Sequence, residues 1–285
     1  STAPTPLTAA VGNTSYFVSQ TTSSSPAVST LVAGNIAIIS YDDVTDIFGF
    51  VPFVNLAAGT TIYFTDNGWD QSLNGGMGGF SGATITDGNG TEGFVRYVVP
   101  AGGVTAGTIV YSNNSNTGGF TSSMTAIPPG TVDNFTPINF SGDGDQIYAF
   151  QNSNLDNPLF NNGTMTHLFV LDNTNAFENT TNSNQGNIPP GLTGVTANTF
   201  PFSGSAAFAL NNDGMPRTAV DWLAYMDLST NYTTGATAPA ITNLNVILDG
   251  PSLCESDRAE IVVTVVEPAT AMIPAVQPVC VNTLA

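Results

Sequence analysis

Basic residues are almost absent from this sequence. Its 285 residues contain three arginines, no lysine and 21 acidic residues, so the formal net charge is -18. A chain with this charge repels nucleic acid and anionic membranes instead of binding them. The absence of lysine also excludes Schiff-base catalysis and lysine-asparagine crosslinks.

Long apolar runs and cysteines are also scarce. No run of about 18 apolar residues is present, so no transmembrane helix is predicted. The start at Ser1 does not resemble a secretion signal, and we expect that any signal was removed or lies upstream. Cys254 and Cys280 are too few for a disulfide scaffold and lack metal-ligand spacing.

Catalytic motifs are equally hard to find. The single histidine, His167, stands before a Leu-Phe-Val run in a predicted strand, so we expect a structural histidine. The sequence has no Gly-x-Ser-x-Gly elbow, Walker loop, His-Glu-x-x-His or Cys-x-x-Cys motif. The interpretation is therefore that the protein is not an enzyme. Glycoside hydrolysis needs only two carboxylates and is the enzymatic alternative left open.

What the sequence does have is neutral polar and aromatic residues. Only 8% of its residues are charged, against about 25% in an ordinary soluble domain, so Ser, Thr, Asn and Gly must cover the surface. Its 17 Phe, 8 Tyr and 2 Trp can fill a hydrophobic core. The length suits one large domain or two modest ones.

Two strands are predicted near the ends of the sequence. Residues 14–20 alternate aromatic or β-branched side chains with small polar ones. Residues 259–266 place Ile261, Val263 and Val265 on one face of a strand. Both strands are expected to pair with each other.

The same two regions carry a resemblance. Residues 1–6 and 11–21, with residues 254–265 much later, resemble an immunoglobulin-like repeat of the giant secreted surface proteins of Bacteroidetes. Residues 278–285 resemble the opening of the next repeat. In that family the two strands are joined by a short hairpin, so the resemblance implies a repeat interrupted by an insertion. It also implies an adhesin or gliding-type surface fibre.

This resemblance sets the expected domain boundaries. Residues 1–24 and 252–268 are interpreted as two halves of a split immunoglobulin-like repeat. Residues 25–251 form the inserted domain, and residues 269–285 form a linker and the start of the next repeat. The alternative is that the two outer strands are ordinary strands of one sandwich. The resemblance further implies that Cys254 and Cys280 form disulfides with cysteines outside this sequence.

The insertion is predicted to be an all-β sandwich or jelly-roll-like domain. Short apolar runs alternate with turn-forming Gly, Asn and Pro clusters, which favours antiparallel sheets over βαβ units. The predicted strands are residues 36–41, 61–65, 94–99, 108–112, 146–151 and 167–172. Residues 218–228 place Val220, Leu223, Ala224 and Met226 near helical spacing, with Asp221 and Asp227 outside, and predict one short helix.

A second, weaker resemblance covers about half of the insertion. Residues 33–41, 57–69, 91–93 and 141–150 are similar to a domain that recurs in multidomain secreted bacterial proteins. The resemblance supplies no catalytic motif. It supports an extracellular location.

Calcium is the one cofactor that the acidic residues suggest. Asp143-Gly-Asp145 has the spacing that can place two carboxylates around one cation, and Asp66 and Glu92 complete the candidate set. Asp42, Asp43 and Asp46 form another acidic cluster. The alternative at each position is an ordinary turn, because Asp next to Gly is a common turn former.

Aromatic residues in Gly-rich loops suggest a carbohydrate ligand. Trp69, Phe80 and Tyr232 could stack on sugar rings if their side chains are exposed. The alternative is that these side chains pack in the core.

The interpretation that combines these features is a non-enzymatic module of a long cell-surface adhesin or surface fibre, located outside the cell. Its expected partners are neighbouring repeats of the same chain, with glycans or laterally associated copies as further candidates. A carbohydrate-binding module and a structural subunit of a sheath or filament remain as alternatives.

Overall fold

The computed structural model describes the backbone of most of the chain between residues 12 and 265. The described residues are 12–18, 27–81, 93–112, 120–122, 138–142, 144–153, 165–173, 176–177, 186–200, 207–236, 245–249 and 259–265. Glu92, Asp143, Cys254 and Cys280 lie outside them. No helix among the described residues is long and apolar enough to cross a membrane.

Strands dominate the described structure, as the sequence predicts. The strands are β1 (Gly12–Val18), β2 (Ile36–Asp42), β3 (Ile47–Pro52), β4 (Thr61–Thr65), β5 (Trp69–Asp70), β6 (Gly79–Phe80), β7 (Phe94–Val98), β8 (Val110–Ser112), β9 (Phe120–Ser122), β10 (Gln146–Asn152), β11 (Met165–Asp172), β12 (Ala197–Thr199), β13 (Ala207–Leu210), β14 (Tyr232–Gly235) and β15 (Ala259–Val265). The helices are α1 (Leu73–Gly76) and α2 (Ala219–Met226).

The chain divides into two compact units. One comprises Ser1–Ser23 together with Pro251–Ala285, and the other comprises Ser24–Gly250. In the first unit β1 and β15 form an antiparallel pair in which Gly12 faces Val265 and Val18 faces Ala259. We call Ser24–Gly250 the central unit.

The central unit contains two large sheets that share one hydrophobic core. The five-stranded sheet has the order β12-β11-β10-β4-β7, and the six-stranded sheet has the order β14-β13-β2-β3-β8-β9. Aromatic rings join the two sheets: the Phe48 and Phe50 rings of β3 lie 4.8 and 4.9 Å from the Phe64 ring of β4. The sheets therefore pack against each other.

The five-stranded sheet is buried on both faces. Along β4, Ile62 and Phe64 belong to the core between the sheets, whereas Tyr63 belongs to a second cluster on the opposite face. β10 repeats this alternation, with Ile147 and Ala149 in the first cluster and Tyr148 in the second. Alternate side chains of these strands are therefore buried on opposite faces of the sheet.

The predicted helix is confirmed, and of its expected apolar face Leu223 and Met226 are buried, whereas Val220 and Ala224 are exposed. The side chain of Thr218 caps α2 by accepting a hydrogen bond from the Asp221 amide. Trp222, Leu223 and Met226 are buried, whereas Val220 is 71% exposed. Positions 222 and 226 are four residues apart, so they lie on the same face of the helix as Leu223.

Candidate functional site

Three carboxylates converge on residues 139–141, which precede β10. Asp66, just after β4, accepts a hydrogen bond of 2.9 Å from the Asn139 amide through Oδ2. Asp46, in the turn between β2 and β3, accepts one of 2.9 Å from the Phe140 amide. Asp145 accepts one of 3.0 Å from the Ser141 amide. Three successive backbone N–H groups are thus bound by carboxylates from three separate segments.

Gln146 links two of these carboxylate-bearing residues. Its side-chain Nε2 donates to Asp145 Oδ1 at 3.0 Å and also to the backbone carbonyl of Asp66. The Gln146 amide donates to the same Asp145 oxygen at 2.8 Å. Asp66 and Asp145 are 0% and 1% exposed, so both carboxylates lie away from bulk water.

Tyr41 and Asn173 complete the polar cluster. The Asn173 amide donates to the Asp145 carbonyl at 2.8 Å. Burial raises the pKa of the Tyr41 hydroxyl well above its usual range, the carboxylates of Asp145, Asp43 and Asp66 raise it further, and the nearby Asn173 side chain lowers it. The Tyr41 hydroxyl therefore lies among these side chains. We call Tyr41, Asp66, Asp145, Gln146 and Asn173 the polar cluster.

The second acidic segment of the sequence borders the polar cluster. Asp42 Oδ1 accepts hydrogen bonds from the Val44 and Thr45 amides, which is the turn geometry that the sequence alternative expects. Burial raises the pKa of the Asp43 carboxyl, and Asp42 raises it further. The 42–46 segment thus forms a turn, and its Asp46 reaches the same loop as Asp66.

The predicted metal set is only partly within the described residues. Asp66 and Asp145 come together through Gln146, whereas Glu92 and Asp143 lie outside the described part of the chain. Among the described residues, no group of three or more His, Cys, Asp or Glu side chains is arranged to hold a metal ion. Any cation in the polar cluster would therefore need neutral oxygen ligands beside the two carboxylates.

The sequence does not reveal Asn173 and Tyr41 as members of this cluster. Tyr41 lies in an apolar strand and Asn173 directly follows one, so both positions look like ordinary strand residues. Both strands have an irregular pairing: the register of β2 with β3 shifts between Ile38 and Ser40, and that of β10 with β11 shifts between Ala149 and Phe150. Such shifts change which face a side chain occupies, and a period of two does not predict them.

The aromatic side chains that could stack on sugars are not exposed. Trp69 and Phe80 are 0% exposed and Tyr232 is 8% exposed, so the core-packing alternative is the observed one. Trp69 and Phe80 pair across the β5–β6 hairpin with ring centroids 5.1 Å apart. The hairpin folds its large rings inward because the second face of the five-stranded sheet needs an apolar cover.

His167 is packed as a structural residue. It is 7% exposed, and its ring lies edge-on to Trp69 with centroids 4.4 Å apart. Burial lowers the pKa of this imidazole from 6.5 to about 3, so the ring is neutral at physiological pH. A neutral ring enclosed by aromatic side chains has no access to a substrate in bulk solvent.

A surface groove of about 500 Å³ lies at another end of the sheets. Residues 55–58 and 101–103 line it together with Ala27 and Ser29. Apart from Leu56 and Asn55, the lining consists of small side chains and backbone, and the Asn55 side chain accepts a hydrogen bond of 2.9 Å from the Ala106 amide. Its lining has no ionisable or aromatic side chain among the described residues.

Comparisons with protein-family models, curated proteins and solved structures find no significant match for this chain.

Proposed function

We propose that this chain is a non-enzymatic extracellular module of a large bacterial cell-surface protein, either an adhesin or a surface fibre. In this proposal an immunoglobulin-like repeat carries an inserted β-sandwich domain. The antiparallel pair of β1 and β15 supports it most directly, because Val18 and Ala259 face each other while residues 19–258 lie between them. A strand pair that is interrupted in this way is what an insertion into a hairpin produces.

The organisation of the central unit agrees with an autonomous inserted domain. Its two large sheets share a core that includes Ile36, Phe50, Phe64 and Leu171. A domain inserted into a hairpin needs a core of its own, because it cannot depend on the interrupted module for burial.

The polar chemistry of the described residues also favours a structural role. The carboxylates of Asp46, Asp66 and Asp145 accept backbone hydrogen bonds, and the imidazole of His167 is buried and neutral. These groups stabilise a loop and a core in the described structure. The burial of Trp69, Phe80 and Tyr232 removes the exposed aromatic rings on which the carbohydrate-binding alternative depended.

Surface display is the property to test first. Antibodies raised against the purified chain should label intact, unpermeabilised cells of the producing bacterium, and excess purified chain should reduce attachment of those cells to their substratum. Labelling that requires permeabilised cells would contradict the proposal. Regular filaments formed by the purified chain alone would instead favour the sheath-subunit alternative, and selective binding on a glycan array would favour a carbohydrate-binding module.

A further inference from the structure

We propose that the exposed face of α2 is a contact between two copies of this chain, related by a two-fold axis and packed with their helices antiparallel. Val220, Ala224 and Leu228, which we call the outer stripe, form the apolar centre of this contact. The contact goes beyond the proposed surface function and does not require it, so each can fail without the other.

The outer stripe is apolar and lies on the solvent side of the helix. Val220 is 71% exposed, Leu228 is 55% exposed, and Ala224 between them is also exposed. The three positions are four residues apart, so their side chains lie on one face. The last turn reaches Leu228, whose amide donates to the Tyr225 carbonyl at 3.4 Å. Exposed apolar side chains that are aligned in this way mark surfaces that bind another protein.

The sizes of these side chains suit a contact between identical helices. Ala224 stands between two larger side chains, so the backbones of two helices can approach closely at its position. In an antiparallel pair, residues before the closest approach face residues after it on the other copy. Val220 of each copy then lies beside Leu228 of the other, with the two alanines between them. A surface that complements itself in this way is what a two-fold dimer requires.

One edge of the outer stripe carries complementary charges. The Arg217 guanidinium lies 4.0 Å from the centroid of the Tyr225 ring, and Asp221 precedes Tyr225 by one helical turn on the same side of the stripe. Arg217 donates to Asp213 through Nη1 and Nη2, and its Nε–H has no acceptor among the described residues. Asp221 accepts from the Thr218 hydroxyl through Oδ2, which leaves Oδ1 available.

An antiparallel two-fold pair brings this edge against the same edge of the other copy, running in the opposite direction. Each Arg217 guanidinium then faces the Asp221 carboxylate of the other copy. This complementarity favours a second copy over an unrelated partner, because the same edge supplies both the cation and the anion.

The length of the helix limits the strength of this contact. α2 has eight residues and is therefore about 12 Å long. Stable interfaces bury about 1,200–2,000 Å² in total, which is more than two such helices supply. The formal charge of -18 on each copy adds long-range repulsion. We therefore expect a weak dimer, with a dissociation constant on the order of 0.1 mM.

Sedimentation equilibrium of the whole chain between about 0.01 and about 1 mM tests this contact, in about 150 mM salt to screen the net charge. The weight-average mass should rise about 1.5-fold over this range, towards that of a dimer. In Val220→Glu, which places a carboxylate on the outer stripe, it should stay at the monomer mass of 29.4 kDa. The matched control Val32→Glu makes the same change at a residue outside α2 that is 60% exposed, and it should associate as the unsubstituted chain does.

A second variant keeps the test valid if Val220→Glu disturbs the helix. Ala224→Glu replaces one good helix former by another, so it should abolish the rise in mass while the circular dichroism spectrum is unchanged. A chain that stays monomeric up to about 1 mM would overturn the proposal. So would association that survives both variants, or a mass that grows beyond that of a dimer, because a two-fold contact closes at two copies.

Discussion

At the scale of single residues, the burial of His167 should make the stability of the protein depend on pH. Its ring is enclosed beside Trp69, and its Nδ1 has no hydrogen-bond partner among the described residues. Protonation would place a positive charge in an aromatic environment that offers it no described acceptor. The unfolded chain binds this proton at its ordinary pKa of 6.5, whereas the folded chain binds it near 3.

We expect acidification to destabilise the protein through this residue. Between pH 6.5 and 3 the unfolded state binds more protons, so stability is fully present above pH 6.5 and falls as the pH decreases. The free energy of unfolding should drop by about 2 kcal/mol between pH 7 and pH 5, measured by urea denaturation. His167→Gln removes the only histidine of the chain and should lose most of this pH dependence. An unchanged dependence in the variant would assign the effect to carboxylates.

Glycines of the loop between β5 and β6 differ sharply in what surrounds them. Gly78 has a φ of +78° and a Cβ there would collide with the indole ring of Trp69. Gly76 has a φ of +93° and a Cβ there would meet nothing within 4 Å. A substitution would therefore strain the backbone at both positions, but only at Gly78 would it also create a steric conflict.

This pair makes a matched test of the packing around Trp69. Gly76→Ala should cost about 1 kcal/mol from strain alone. Gly78→Ala should cost about 3 kcal/mol or more, because strain and the collision with the indole add. Chemical denaturation of both variants measures the difference. Equal losses would mean that the loop moves away from Trp69 at no cost.

At the scale of elements, α2 depends on its first turn. The Thr218 hydroxyl accepts from the Asp221 amide at 3.2 Å and donates to the Asp221 carboxylate at 2.7 Å. The middle of the helix is tied to a distant segment, since the Trp222 indole N–H donates to the Ile247 carbonyl at 2.8 Å. The helix is too short to be stable without these tertiary contacts.

Removing the cap should weaken the protein measurably. Thr218→Ala should lower the free energy of unfolding by about 1 kcal/mol, because the first turn loses an acceptor for a backbone N–H. Thr218→Ser keeps the hydroxyl and should retain most of the stability. Thermal denaturation of the two variants gives the comparison, and equal melting temperatures for Ala and Ser would show that the cap contributes nothing.

At the scale of the whole molecule, the central unit has its own core. The described side chains of this unit form two hydrophobic clusters, and the two large sheets lie within the same unit. A unit with this much internal burial should fold without β1 and β15.

We therefore expect residues 24–250 to fold when they are expressed alone. Their thermal unfolding should remain cooperative, with a melting temperature close to that of the same transition in the whole chain. A non-cooperative transition, or loss of the β-sheet circular dichroism signal, would contradict the autonomy of the central unit. In that case the outer strands would belong to the same folding unit, which is the alternative that the sequence left open.

Local pattern was sufficient to predict much of the sheet structure. Thr61–Thr65 is observed with the predicted bounds, and the strands at 36–42 and 146–152 are each extended by one residue. The sequence pattern does not predict β3, because Gly49 and Pro52 lower strand propensity. The structure explains Gly49: a Cβ there would lie 2.5 Å from Ser40 Oγ and 2.8 Å from the Tyr111 ring. A glycine at a close approach between neighbouring strands cannot be interpreted before the neighbours are known.

The sequence by itself determined the class of this protein: its low charge, its aromatic content and its alternating strands require a β-rich domain with a neutral polar surface. Tertiary structure alone decided that Trp69 is buried and that Val220 is exposed. It also decided that Asp46 and Asp66 accept hydrogen bonds from the same loop, residues 139–141. The physical reason is distance along the chain. A periodic pattern reports which residues share one face of an element, whereas burial and polar partners depend on which distant segment packs against that face.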